Sequence, residues 1–131
     1  MATRQQALQI TLQELNNISI AVQRAYESWQ ANINVKSTII VAPIRANIQA
    51  AIQEISKIRN ELDDAQANAL LGLIVEKLTI YSDVLTGKVF AKPEELLTAW
   101  QKTLGNLLRD IQKSLPEAAK IGMFTTLSKA A

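Results

Sequence analysis

Four stretches of this chain carry apolar side chains at alternating steps of four and three, and no other feature restricts the possible folds so much. In residues 3–31 the stripe reads Leu8, Leu12, Leu15, Ser19, Val22, Tyr26 and Trp29, widened by Ile18, Ala21 and Ala25. Such spacing keeps one face of an α-helix apolar, and the added width suits a helix buried in a bundle rather than a narrow two-position seam. The pattern returns as Ile44, Ile48, Ala51, Ile55, Ile58 and Leu62, then as Ala67, Leu71, Ile74, Leu78, Tyr81 and Leu85. A fourth stripe follows with Leu97, Trp100, Leu104, Leu107 or Leu108, and Ile111. Ser19 is the one polar member of the first seam, where a small hydroxyl ordinarily bonds to its own helix carbonyl. Trp29 and Trp100 lie on seams and are expected in the core.

The stops between stripes have readable chemistry. Asp63 as N-cap, with Gln66 three residues on and Leu62 packing on Ala67, fits a capping box with its hydrophobic staple. An unbroken helix through this point is the competing reading. Gly87 suits a left-handed helix terminator. Pro93 suits the first turn of the fourth helix, and Glu94 and Glu95 suit the positive end of its dipole. Ser114 and Glu117 bracket Pro116 at the start of a short last helix whose apolar face is Ile121, Phe124 and Leu127.

One segment breaks the helical rhythm. In residues 32–42 Ile33, Val35, Ser37, Ile39 and Val41 alternate with their neighbours at a period of two, and Thr38–Ile39–Ile40–Val41 is a β-branched run ending at Ala42–Pro43. β-branching restricts χ1 in a helix, and the residue before a proline is pushed toward extended backbone. Eleven extended residues reach about 36 Å, while a helix of this first one's length spans about 43 Å. The segment is therefore expected to run back along the first helix and deliver the second parallel to it, with Pro43 as its first residue. Two other arrangements are compatible: an unpaired strand edge that pairs with a second copy or a partner, and a kinked helix containing Pro43.

Together these signs predict an all-α fold: a four-helix bundle with a long extended crossover at about 32–42 and a short C-terminal helix, in one domain covering residues 1–131. At 131 residues the chain is large enough to bury a core without staples. No window approaches the ~18 apolar residues of a membrane span, and the opening residues do not show the basic-then-apolar pattern of a secretory signal, so none is expected.

Composition narrows the chemistry. With no cysteine and no histidine, thiolate nucleophiles, disulfides, the commonest transition-metal ligand and the usual general base are all missing. The chain is expected to be cytoplasmic and non-enzymatic, with no catalytic, metal or cofactor-binding residues and no evident small-molecule substrate. The adjacent carboxylates Asp63–Asp64 and Glu94–Glu95 are explained as helix starts, and the Gly87–Lys88 pair as a turn, since no glycine-rich phosphate loop surrounds it.

By exclusion, the expected function is contact with another protein or with a second copy, as an assembly component or adaptor. The 11 glutamines and 8 asparagines put amides where charges usually stand, and amides meet a partner at lower desolvation cost. The candidate interface is Ile33, Val35, Ile39 and Val41. One alternative is a nucleic-acid binder using Arg45, Lys57 and Arg59 or Lys102, Arg109 and Lys113, although a net charge of +2 gives it a weak electrostatic basis. The other is a peripheral membrane-surface binder using the C-terminal segment with Met123 and Phe124.

Overall fold

The computed structural model describes residues 1–131. The chain forms α1 (Arg4–Ala31), α2 (Ser37–Asn60), α3 (Ala65–Gly87), α4 (Pro93–Ser114), a 3-10 turn (Pro116–Lys120) and α5 (Gly122–Ala130). The fold is all-α with bundle-like packing. α1 packs against α2 and α4, and α3 packs against the same two helices from the opposite corner. One continuous cluster of 35 buried apolar residues draws on every helix. Leu12, Leu15, Ile44, Ile48, Leu71 and Leu104 lie fully within it.

The start of α1 is set by a reciprocal cap. Thr3 Oγ1 accepts from the Gln6 amide at 3.1 Å, and the Thr3 amide donates to Gln6 Oε1 at 2.9 Å, which satisfies two donors that a helix start leaves free. α3 begins one residue later than the capping pattern suggests. Asp64, not Asp63, is its N-cap, with Oδ1 accepting from the Ala67 amide at 3.0 Å, while Gln66 Nε2 reaches the Ser114 carbonyl at 2.6 Å. The Arg4 guanidinium draws Asp64 into place at 2.8 Å, a partner the local sequence does not show. Gly87 is the last residue of α3 and the chain has no positive φ, so a helix turning directly into the extended Lys88 replaces the expected left-handed terminator. Pro93, Glu94 and Glu95 open α4 as expected, and no side chain caps the 3-10 turn or α5.

The extended crossover at 32–42 does not form. Residues 37–42 are the first turns of α2, Pro43 lies inside that helix, and only Asn32–Lys36 connect α1 to α2. A five-residue connection reaches about 17 Å at most, far short of the length of α1, so the two helices run antiparallel. The far end shows it: the Ala2 amide, just before α1, donates to the Glu61 carbonyl, just after α2, at 2.9 Å.

Burial overrides the local signals. A proline inside a helix costs about 3 kcal/mol and each β-branched residue well under 1. Helical geometry sends Ile40 and Val41 into the core, and burying two such side chains contributes roughly 3–6 kcal/mol. Pro43 and Ile39 are both exposed, so the Ile39 carbonyl left without a donor lies on the solvent side, where water can serve it.

Two polar contacts pin the packing. Ser19 turns away from its own helix and accepts from Trp100 Nε1 at 2.9 Å, joining α1 to α4. At the α2–α3 corner the Arg59 Nε donates to both the Asn68 carbonyl and Asn68 Oδ1, at 3.1 and 2.9 Å, and Asn68 Nδ2 donates back to the Arg59 carbonyl at 3.0 Å. Gly72 leaves room for this guanidinium, because a Cβ there would sit 2.8 Å from Arg59 Nη2.

Candidate functional site

α3 is apolar on more than its core face. Beside the buried residues Leu71, Ile74, Leu78, Tyr81 and Leu85 runs a second stripe at steps of four, three and four: Leu73, Lys77, Ile80 and Val84. Ile80 is 56% exposed and Val84 40%. α4 cannot cover them. Opposite this stripe it presents Thr98, Ala99, Thr103 and Asn106, with Lys102 at the rim, and these leave Ile80 more than half exposed. The result is an open groove of about 810 Å³ between α3 and α4.

Tyr81 lines the groove's inner wall, its ring centroid 5.2 Å from that of Trp100. The Tyr81 hydroxyl is buried and has no protein hydrogen-bond partner. Burial pushes its phenol well above the ordinary value near 10.0, so it stays neutral and is a poor general base. Charge sits on the rim. Lys77 is paired with Asp110 across the helices, whereas Lys88, Lys92 and Lys102 have no carboxylate partner. Lys88 Nζ lies 5.3 Å from the centroid of the Phe90 ring. Glu94 and Glu95 also line this end, and the Glu95 carboxylate accepts from the Ala91 amide at 3.2 Å. An apolar floor with a basic rim can bind an amphipathic surface, and no nucleophile–base pair accompanies it.

The sequence-based interface residues fall in different environments. Ile33 is 67% exposed and Ile39 63%, both where α1 passes into α2. Val35 is half-buried against the core and Val41 is buried within it, so only Ile33 and Ile39 present free apolar surface. The basic sets are also divided. Arg59 is held by Asn68 and Arg109 bonds to Asn106, leaving Arg45 and Lys57 of the first set and Lys102 and Lys113 of the second on open surface. In the C-terminal segment Phe124 and Leu127 are buried, because α5 spends its apolar face on α1 and α4. No helix is long and apolar enough to cross a membrane.

No protein-family model, no curated protein and no solved structure matches this chain.

The groove is readable from sequence only in part. Val84 stands out as a flank of the α3 seam, but Leu73, Ile80 and the rim lysines carry no motif. Their signal is the second apolar stripe on a helix that already has one, together with the short side chains facing it on α4.

Proposed function

We propose that this chain is a non-enzymatic helical-bundle protein that acts through protein–protein contacts, as an assembly component or adaptor. Its frame is a four-helix bundle with α5 packed against it, in a cytoplasmic setting consistent with the absence of cysteine. The observation that carries the reading is the uncovered apolar stripe of α3, with Ile80 and Val84 open to solvent beside a groove. Single exposed apolar residues are ordinary, whereas a contiguous apolar patch supports a contact role, and Ile80 and Val84 lie one turn apart on the groove floor. Ile33 and Ile39 form a second, smaller exposed apolar pair at the α1–α2 connection.

The test is the mass in solution by light scattering, together with capture of proteins from host lysate on the immobilised chain. Self-association or a retained protein is expected, and Val84→Glu or Ile39→Glu should abolish it while leaving the thermal midpoint nearly unchanged. A strictly monomeric chain that retains nothing would overturn the reading.

A further inference from the structure

We propose that the α3–α4 groove is a docking site for a single amphipathic α-helix of a partner protein, with acidic residues flanking its apolar face. The proposal rests on the protein-contact reading above and names the occupant.

Shape selects the occupant's form. The groove runs from Lys77 along α3 to Lys88 just past its end, and eleven steps of ~1.5 Å give about 17 Å, or three turns of helix. Its apolar floor, Ile80, Val84 and Ala99, follows the length of the helices. An incoming helix would present apolar residues at i, i+3 or i+4, and i+7 to such a floor. A small ligand is usually enclosed on most of its surface, whereas this trough is open along its length and leaves Ile80 more than half exposed.

Charge selects the occupant's sign. Lys77 is neutralised by Asp110, and Lys88, Lys92 and Lys102 stand free against Glu94 and Glu95, one of which is engaged by the Ala91 amide. Acidic side chains on the flanks of a docked helix would meet these lysines, raising the association rate and fixing register. A basic helix would find only Glu94 and Glu95 against three free lysines, so the acidic one is favoured.

The probe is a fluorescein-labelled model helix of about 20 residues, long enough to hold helical structure alone, with leucines on one face and glutamates on its flanks. Controls are the same peptide with lysine for glutamate and a scrambled acidic peptide. Anisotropy with the full chain should show saturable binding of the acidic helix that weakens with salt, and no binding of either control. Val84→Glu should weaken it roughly tenfold or more. The triple change Lys88→Glu, Lys92→Glu and Lys102→Glu should reverse the preference toward the basic peptide. Equal binding of acidic and basic peptides, or binding that survives Val84→Glu, would overturn the proposal. So would groove-dependent self-association without peptide binding, which would assign the groove to a second copy, or Val84-dependent binding to anionic vesicles, which would assign it to a lipid surface. If the peptide fails while proteins are still retained from lysate through Ile33 and Ile39, the helix-docking proposal falls and the protein-contact reading stands.

Discussion

Replacing Pro43 with alanine separates the two geometries of residues 37–42 by sign. If α2 begins at Ser37, as found, Pro43 is its seventh residue, lacks the amide that would donate to the Ile39 carbonyl, and sets its ring against that carbonyl. An interior proline is about 3 kcal/mol less favourable than alanine. Here one backbone hydrogen bond, worth about 0.5–1.5 kcal/mol net, would be restored on an exposed face. The rest of the gain depends on how far the first two turns have already bent to relieve the ring. Pro43→Ala should therefore stabilise the protein by about 1–3 kcal/mol. At roughly 3 °C per kcal/mol for a chain of this length, the thermal midpoint rises by about 3–9 °C.

If residues 37–42 were extended and Pro43 were the first helical residue, the same change would lose a constraint on the unfolded chain at a position where proline is well accommodated. It would then destabilise by about 0.4–1 kcal/mol. The assay is urea unfolding followed by far-UV circular dichroism and by the fluorescence of Trp29 and Trp100. An unchanged m-value would show that the compactness of neither state has shifted. Amide exchange adds a local readout, since the backbone N–H that Pro43→Ala introduces should be protected in a continuous helix. A lowered or unmoved midpoint with that new amide unprotected would refute the helical assignment of this segment.

Other substitutions probe the contacts that fix the packing. Gly72→Ala ordinarily gains about 1 kcal/mol of helix propensity, but the new Cβ would displace Arg59 from Asn68. It should be neutral or destabilising alone and stabilising on an Arg59→Ala background, and additivity between the two would refute the clash. Ser19→Ala leaves the buried Trp100 N–H without its acceptor and should cost about 1–3 kcal/mol, with faster exchange of the indole proton. Asp64 is held below its ordinary value by the Arg4 guanidinium first and the Ala67 amide second. A depressed carboxylate contributes stability above its unfolded value near 3.8, and that contribution is lost as pH falls through the lower folded value. The acid limb of a stability–pH profile should therefore be flatter in Asp64→Asn; an identical limb would show that Asp64 contributes nothing to it.

The helices are legible because their signals are redundant. Leu8 to Trp29, Ile44 to Leu62 and Ala67 to Leu85 each repeat over several turns, so losing one position to polarity, as at Ser19, does not hide the face. The α1–α2 connection misleads because it holds two periods at once. Ile33, Val35, Ile39 and Val41 alternate, but Ile40 and Val41 also continue the Ile44–Ile48 stripe backward by four and three. Proline and β-branching are local terms of a few kcal/mol at most, while the burial that outweighs them depends on α1 and α3 packing against α2, which no local pattern states. The Arg4–Asp64 and Ser19–Trp100 contacts join residues 60 and 81 positions apart, and nothing near either member points to the other.

The groove owes its existence to Ala99 as much as to Ile80 and Val84, and this allows stability and binding to be set against each other. Ala99 is half-buried on the α4 wall of the groove. Ala99→Leu would extend a side chain over the α3 stripe and bury apolar surface on both helices. Each methylene fully removed from water contributes about 0.8 kcal/mol; since the site stays partly open, a net gain of about 0.5–2 kcal/mol is expected, typical of a filled surface gap. The same side chain would occupy the space proposed for a partner's helix, so binding of the acidic model peptide should be lost as the unfolding midpoint rises. Binding sites commonly leave stability unclaimed in this way, and the opposed changes in one variant would be its signature. If Ala99→Leu instead destabilises the chain, the wall is already closely packed and the gap between α3 and α4 is too small for a helix. If it stabilises the chain while peptide binding persists, the peptide docks elsewhere and the groove is not its site.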